Sequence, residues 1–343
     1  MNQNYIFFIF VLLWFASCID QIPVNVKEDD SEYLIVQAAL KDNEDQQIVN
    51  ITSNSPDATD FQANFPVNDA LVYVLKDNSQ RFDFRNVDDR GNYGQTLSLN
   101  TGSFYQLVIE YKGVRYESTH EELLEPVPVG ELKTRVTNEL VNNAAGNVVE
   151  REVINVLTDI NLPVDEEIYL RYRIDGTYEY REIGTPSNLN PVTCYVDEII
   201  DLNNLAIISN TGLEGGNIQN KLILTRAPDY RYSYNYCMHI SQDRISKEAY
   251  EFWRLVENEF NRTGDIFEAP PGIIRGNINE TGPSDIGCIG VFSVAAVSTK
   301  DFHILPSAVN NPRPRCQPFP APPPTCTNCL LLPKSTLTKP ECF

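Results

Sequence analysis

Cys18 makes the clearest chemical statement in this chain. It follows Phe15-Ala16-Ser17 at the end of an uncharged apolar run, Tyr5 to Ser17, and polar sequence resumes at once with Ile19-Asp20-Gln21. A short apolar segment closing on small residues has the form of an export signal. A cysteine directly after the cut has the placing of a lipobox cysteine, whose sulfur takes fatty-acyl groups through a thioether and which becomes the new N-terminus. The reading is a signal peptide over 1–17, lipidation of Cys18 with palmitate-type chains, and an acidic tether over 18–32. Two or more acyl chains give the stable membrane attachment that one chain does not. No later segment approaches the ~20 apolar residues of a spanning helix, so the anchor is expected to be lipid alone. Two details depart from the usual pattern: Met1-Asn2-Gln3-Asn4 carries no Lys or Arg, and Phe15 stands where Leu is favoured.

Seven further cysteines could react with one another: Cys194, Cys237, Cys288, Cys316, Cys326, Cys329 and Cys342. An exported chain meets an oxidising compartment, so disulfides are the expectation. Seven is odd, and at least one thiol is left over within a chain; the pairing stays open. The last four, spaced C-x9-C-x2-C-x12-C, also match a zinc-ribbon count. Thiolate zinc sites are mostly intracellular and this tail holds no His, so disulfides are preferred. Only His120, His239 and His303 are present, none in an H-E-x-x-H run, and His239, two residues after Cys237, is read as structural. There is no G-x-S-x-G elbow, no phosphate loop, no G-x-G-x-x-G fingerprint and no D-x-D-x-D-G calcium loop. No cofactor and no metal are expected, and no catalytic residue is assigned.

Aromatic chemistry is the remaining signal. Tyr230, Tyr232, Tyr234 and Tyr236 alternate with polar residues, and Tyr169, Tyr172, Tyr178 and Tyr180 precede them. On a strand the four tyrosines of 230–236 share one face. They either pack the second sheet or offer apolar ring faces with polar tips to a ligand.

Short β-type runs must position these groups. Between Tyr33 and Thr119 lie YLIVQAAL, QQIVNITS, ALVYVL, FYQLVIEY and VRYEST, with period-2 alternation in Leu71 to Leu75 and Tyr105 to Ile109. Lys112-Gly113 reads as a hairpin turn, and so, more strongly, does Asp175-Gly176 between 168–174 and 178–183. Glu125-Pro126-Val127-Pro128 breaks the pattern and is taken as a boundary. Further strands are expected at 149–159, 192–200, 219–226, 230–240 and 288–298. The fold class is mainly β: an N-terminal immunoglobulin/transthyretin-like β-sandwich over 33–125, then a second β-sandwich-like domain over 126–305 with one amphipathic helix. That helix, 247–261, is capped by Ser246, stopped by Gly264, and carries the stripe Ala249, Phe252, Trp253, Val256 and Phe260. The tail, 306–343, holds ten of the 22 prolines and reads as an extended, cysteine-stapled strap. With a net charge of −20 outside the signal segment, the surface repels phosphate backbones, and nucleic acid is not an expected partner.

Taken in order, several segments carry a resemblance. Asp69-Ala70-Leu71-Val72-Tyr73-Val74, Gly91-Asn92-Tyr93 and Phe104 to Leu107 are followed by Arg231-Tyr232-Ser233-Tyr234, the helix Ser246 to Trp253, Arg275-Gly276-Asn277-Ile278, Gly290 to Ser298, and Cys326-x-x-Cys329. The chain resembles Bacteroidota outer-membrane lipoproteins catalogued as a domain of unknown function (DUF4249-like) and often encoded beside TonB-dependent transporters. The resemblance implies an outer-membrane lipoprotein facing the cell exterior, with a TonB-dependent transporter barrel as partner, and it brings no catalytic residues. The function expected is a non-enzymatic accessory or ligand-binding subunit of that transporter. The alternatives are a surface glycan or peptide hydrolase, which needs two carboxylates about 5–10 Å apart, and an adhesin or structural surface module.

Overall fold

The computed structural model describes residues 32–54, 64–142, 147–186, 188–200, 205–213, 215–261, 272, 274–318 and 321–343. The expected signal peptide, Cys18, most of the acidic tether and Gly264 lie outside them. The architecture is mainly β, with one α-helix among the described residues.

The first body contains β1 (Glu32–Lys41), β2 (Gln46–Asn54), β3 (Asn64–Pro66), β4 (Leu71–Lys76), β5 (Gln80–Asn86), β6 (Asn92–Thr96), β7 (Phe104–Tyr111), β8 (Val114–Ser118) and β9 (Glu121–Glu122). β4 pairs with β7 and β7 with β8, while β1 and β2 pair with each other and β6 joins β2. β5 turns the corner, pairing with β4 through Val72↔Phe84 and with β6 through Arg85↔Gly94. Alternation places Leu34, Val36, Ala38 and Leu40 of β1 in one core with Val72, Val74, Leu107 and Ile109. Each Leu, Val and Ile among them is worth about 1.5–3 kcal/mol when fully withdrawn from water. The Lys112-Gly113 turn forms as read: Tyr111 opposes Val114, and φ is +48° and +79° at the two central residues, the positive pair a type I′ hairpin requires.

The second body follows with β10 (Glu131–Asn142), β11 (Val148–Asn161), β12 (Tyr169–Arg181), β13 (Thr193–Ile199), β14 (Ala206–Ser209), β15 (Asn217–Arg226) and β16 (Tyr236–Ile245). Then come α1 (Lys247–Phe260), β17 (Ile278–Glu280), β18 (Ile286–Ile304) and β19 (Ser335–Thr336). A three-stranded sheet, β10-β11-β15, supplies Leu132, Ile154, Val156 and Leu224 to a core shared with Leu170, Tyr172, Ile174 and Tyr178 of β12. Both bodies are thus of β-sandwich type.

β18 joins them. Ile286 to Ala295 run parallel to β1, and Ala296 to Ile304 run antiparallel to β16. One hydrogen-bonded path, β17-β8-β7-β4-β5-β6-β2-β1-β18-β16-β12-β13-β19, therefore crosses the molecule. Ile278, Phe292, Val294 and Ala296 belong to the core of the first body, although they lie well over a hundred residues beyond the Pro126-Pro128 segment. That segment is itself fixed: Gln242 Nε2 donates to the Val127 carbonyl at 2.6 Å and Arg244 Nη1 to the Glu125 carbonyl at 2.9 Å.

Helix α1 lies on the outer face of this continuous sheet. Ser246 Oγ accepts from the Ala249 N–H at 3.1 Å, satisfying a first-turn donor. Ala249 is fully buried and packs with Tyr169, Ile245, Val291 and Ala295, residues drawn from β12, β16 and β18. Tyr250 meets Tyr169 at 4.9 Å, and the Arg171 guanidinium sits 3.6 Å from the Trp253 ring. The apolar stripe is spent unevenly, because Phe260 at its far end is 54% exposed.

Two readings of local sequence are corrected. Asp175-Gly176 is no hairpin: β12 runs straight through it, pairing with β16 from Tyr169↔Ile245 to Tyr178↔Tyr236. The glycine is there for space, since a Cβ on Gly176 would collide with the Tyr236 hydroxyl. Tyr230 to Tyr236 is also not one strand face. Tyr230–Tyr232 form a turn of 3-10 helix whose N-cap, Asp229, accepts from the Arg231 N–H at 2.9 Å, and β16 starts only at Tyr236.

Candidate functional site

Three of the segments that carried the resemblance meet at one buried carboxyl, Glu121 on β9. Asn277 donates from Nδ2 to Glu121 Oε1 at 3.0 Å and to the Phe292 carbonyl at 2.8 Å, and its Oδ1 accepts from the Phe292 N–H at 2.8 Å. Gly276 lets this approach occur, because a Cβ there would collide with the Gly290 carbonyl oxygen. Ser246, the cap of α1, faces the same carboxyl. Glu121 is 1% exposed, and its Oε2 closes no hydrogen bond of good geometry among the described residues. Burial pushes its carboxyl up to about 7; the Ser246 hydroxyl opposes the shift, Glu248 adds to it, and Asn277 and Thr119 oppose it more weakly. The arrangement is a latch with a titratable group inside it, joining β9, the start of α1 and β18. Nothing local in the sequence marks Glu121, since its burial comes from residues over 120 positions away.

The expected tyrosine site divides into two layers. Tyr232 and Tyr236 are buried and stacked, with ring centroids 4.4 Å apart. The Tyr236 hydroxyl donates to Glu198 Oε1 at 2.5 Å, and Arg226 donates to the same oxygen at 2.6 Å, while Arg231 Nε lies 3.2 Å from Glu198 Oε2. Burial raises the Tyr236 phenol well above its ordinary range and Tyr232 to about 12, so both stay protonated. These two, with Tyr172, Tyr178 and Tyr180, belong to the core. Tyr230 and Tyr234 are half-buried and reach the surface. Tyr230 meets Tyr178 and Tyr180 edge-on at 6.1 and 6.4 Å and carries Arg315 5.0 Å above its ring, and Arg181 stacks 4.2 Å from Tyr234. The cleft between them, with Tyr180 and Arg181 on its walls, has a volume near 10 Å³ and admits about one water. What remains for a ligand is a shallow aromatic face edged by two arginines. A larger concavity of about 300 Å³ lies between the end of α1 and the edges of β14 and β15, beside Glu257, Asn261 and Lys221.

The tail is a strap, as its composition indicates. Cys194 on β13 bonds to Cys329, Cys237 on β16 to Cys342, and Cys316 to Cys326 within the tail, with Cα separations of 6.0, 6.2 and 5.3 Å. The Ile183 N–H donates to the Cys326 carbonyl, and the Cys329 N–H to Glu182 Oε1. The odd cysteine is Cys288, buried on β18, where burial lifts its thiol to about 12 and keeps it protonated. His239 has a fuller role than its sequence neighbours indicated. Its Nδ1 is 2.8 Å from Asp301 Oδ1, its cross-strand partner on β18, and 4.0 Å from Cys237 Sγ. Nε2 lies 3.0 Å from the Thr177 hydroxyl, which donates to Asp197 Oδ1 at 2.6 Å.

A mainly-β chain of two sandwich-type bodies sharing one long strand, bound over by a disulfide-stapled tail, is the class the structure defines. The family described as Domain of unknown function (DUF4249) matches residues 19–301, most of the 343, and the chain belongs to it. No curated protein matches it. Among the described residues no helix is long and apolar enough to cross a membrane.

Proposed function

We propose that this protein is an outer-membrane lipoprotein, tethered through Cys18 and facing the cell exterior, that serves as a non-enzymatic accessory or ligand-binding subunit of a TonB-dependent transporter. The observation that carries the proposal is the junction at Cys18. An apolar, uncharged segment ends there, and the family match begins at the next residue, Ile19. The described residues from Glu32 onward form one compact unit, which suits a rigid cargo-facing module. The Tyr230–Tyr234 face with Arg181 and Arg315 supplies aromatic and cationic contacts on an otherwise acidic protein, the kind of patch that meets a transporter rim or an anionic cargo.

Metabolic labelling with a palmitate analogue, followed by mild-detergent purification from native membranes, tests the proposal. Wild type is expected to carry label and to bring down a β-barrel transporter, and Cys18→Ser to lose both. Unlabelled wild type, or a labelled protein that never brings down a barrel, overturns the reading.

A further inference from the structure

Four ligand-type side chains from separate parts of the chain converge on the outer face of β16 and β18. Cys237 and His239 are two residues apart on β16 and therefore share a face. Asp301 reaches them by cross-strand register, opposite His239. Cys342 arrives from the tail. One ligand atom from each, two sulfurs, an imidazole nitrogen and a carboxylate oxygen, all lie within 4.8 Å of one another. A tetrahedral zinc ion with bonds of ~2.0–2.3 Å has ligand–ligand edges of roughly 3.4–3.8 Å. The set is therefore close to the required size, and its donors are the thiolate, imidazole and carboxylate types that suit zinc rather than calcium or magnesium.

We propose that Cys237, His239, Asp301 and Cys342 form a redox-gated site for zinc, closed while the Cys237–Cys342 disulfide stands and opened by its reduction.

The environment of His239 carries this beyond a coincidence of residue types. The Thr177 hydroxyl gives its proton to Asp197, so toward His239 it offers a lone pair, and Nε2–H is the natural donor to it. Nδ1, on the other side of the ring, faces the Asp301 carboxylate at 2.8 Å. The Thr177–Asp197 pair is the outer hydrogen-bonding shell that orients a metal-bound histidine. Cys237 is buried on β16, whereas Cys342 belongs to the tail outside the strands, so the two sulfurs sit on separate segments of the chain.

The step balances with a dithiol as reductant. Two dithiol sulfhydryls surrender two electrons and two protons, leave as a disulfide, and free the sulfhydryls of Cys237 and Cys342. Zinc then displaces both protons as it binds the two thiolates. The site is independent of the proposed membrane role and stands or falls without it.

The test uses the purified full-length protein, oxidised and after treatment with excess dithiol, desalted, loaded with zinc alone and desalted again. Elemental analysis is expected to give one zinc per chain after reduction and none before. Cobalt in place of zinc is expected to show thiolate charge-transfer and tetrahedral ligand-field bands. Reduction also opens the Cys194–Cys329 and Cys316–Cys326 bridges, so the discriminating variants are His239→Ala, Asp301→Asn and Cys342→Ser. His239→Ala and Cys342→Ser are each expected to weaken zinc binding by more than the ~10-fold that loss of even an outer-shell partner costs. Asp301→Asn, on an exposed side chain, perturbs no packing and is expected to lower affinity and alter the cobalt spectrum. Absence of zinc uptake by the reduced protein, or uptake equally tight in all three variants, overturns the proposal.

Discussion

Replacing Glu121 by Gln isolates a single titration. In the folded protein burial holds the carboxyl up at about 7, against an ordinary value of 4.5. Between these limits the folded state binds a proton that the unfolded state has released, so stability falls as pH rises. The contribution is fully present below about pH 4.5, declines through the interval, and is gone above about pH 7. A difference of about 2.5 pH units at 1.36 kcal/mol each gives a loss of about 3 kcal/mol. The substituted amide keeps an oxygen for the Asn277 donor and has no charge to desolvate, so this dependence vanishes in the variant. Urea unfolding of both proteins, disulfides intact, at several values from about pH 4 to 9 supplies the difference curve. Glu121→Gln is expected to gain about 3 kcal/mol relative to wild type between the two ends, with the change centred between pH 5 and 7. Because the remaining titratable groups are common to both chains, they cancel. Two curves that stay parallel across the range refute the reasoning, since they mean Glu121 is solvated or paired with a cation in the folded state.

Other perturbations test separate parts of the fold. Gly176→Ala places a methyl group against the Tyr236 hydroxyl and is expected to cost about 1–3 kcal/mol as an overpacked core, read as a lowered urea midpoint with unchanged slope. Asn277→Ala strips both backbone partners from Phe292 and is expected to cost ~1–3 kcal/mol for each group orphaned; hydrogen exchange at the Phe292 amide should rise ahead of global unfolding. Trp253→Ala removes the ring from the Arg171 guanidinium and is expected to cost about 2 kcal/mol or more, with Arg171→Met recovering part of the loss.

Legibility from sequence followed the range of the interaction. β1, β4 and β7 were readable because alternation is a property of consecutive residues, and Lys112-Gly113 because the turn's backbone demands are met by those two residues alone. The cap at Ser246 belongs with them. Asp175-Gly176 misled because glycine has two uses that look alike in sequence. Here it makes room for a phenol from a neighbouring strand 60 residues on, and no local pattern distinguishes that from a positive φ. The Tyr230–Tyr236 run misled because Asp229 nucleates a turn that outweighs alternation. Glu121 was invisible for a related reason, being one of 47 acidic residues, distinguished only by what Ser246, Asn277 and Phe292 place around it. Oxidation and an odd thiol followed from the cysteine count. The pairing, and the meeting of His239 with Asp301, required the register of β16 on β18.

The parallel pairing of β1 with β18 sets an order of events during folding. Glu32 pairs with Ile286, 254 residues later in the chain, so that side of β1 closes only when the far end of the chain is available. Until then the first body has Leu34, Val36 and Leu40 on a strand with one edge unclosed, a template for pairing with other chains. A cell making this protein therefore has to shield that edge, and a fragment ending near residue 125 is expected to aggregate where the whole chain does not.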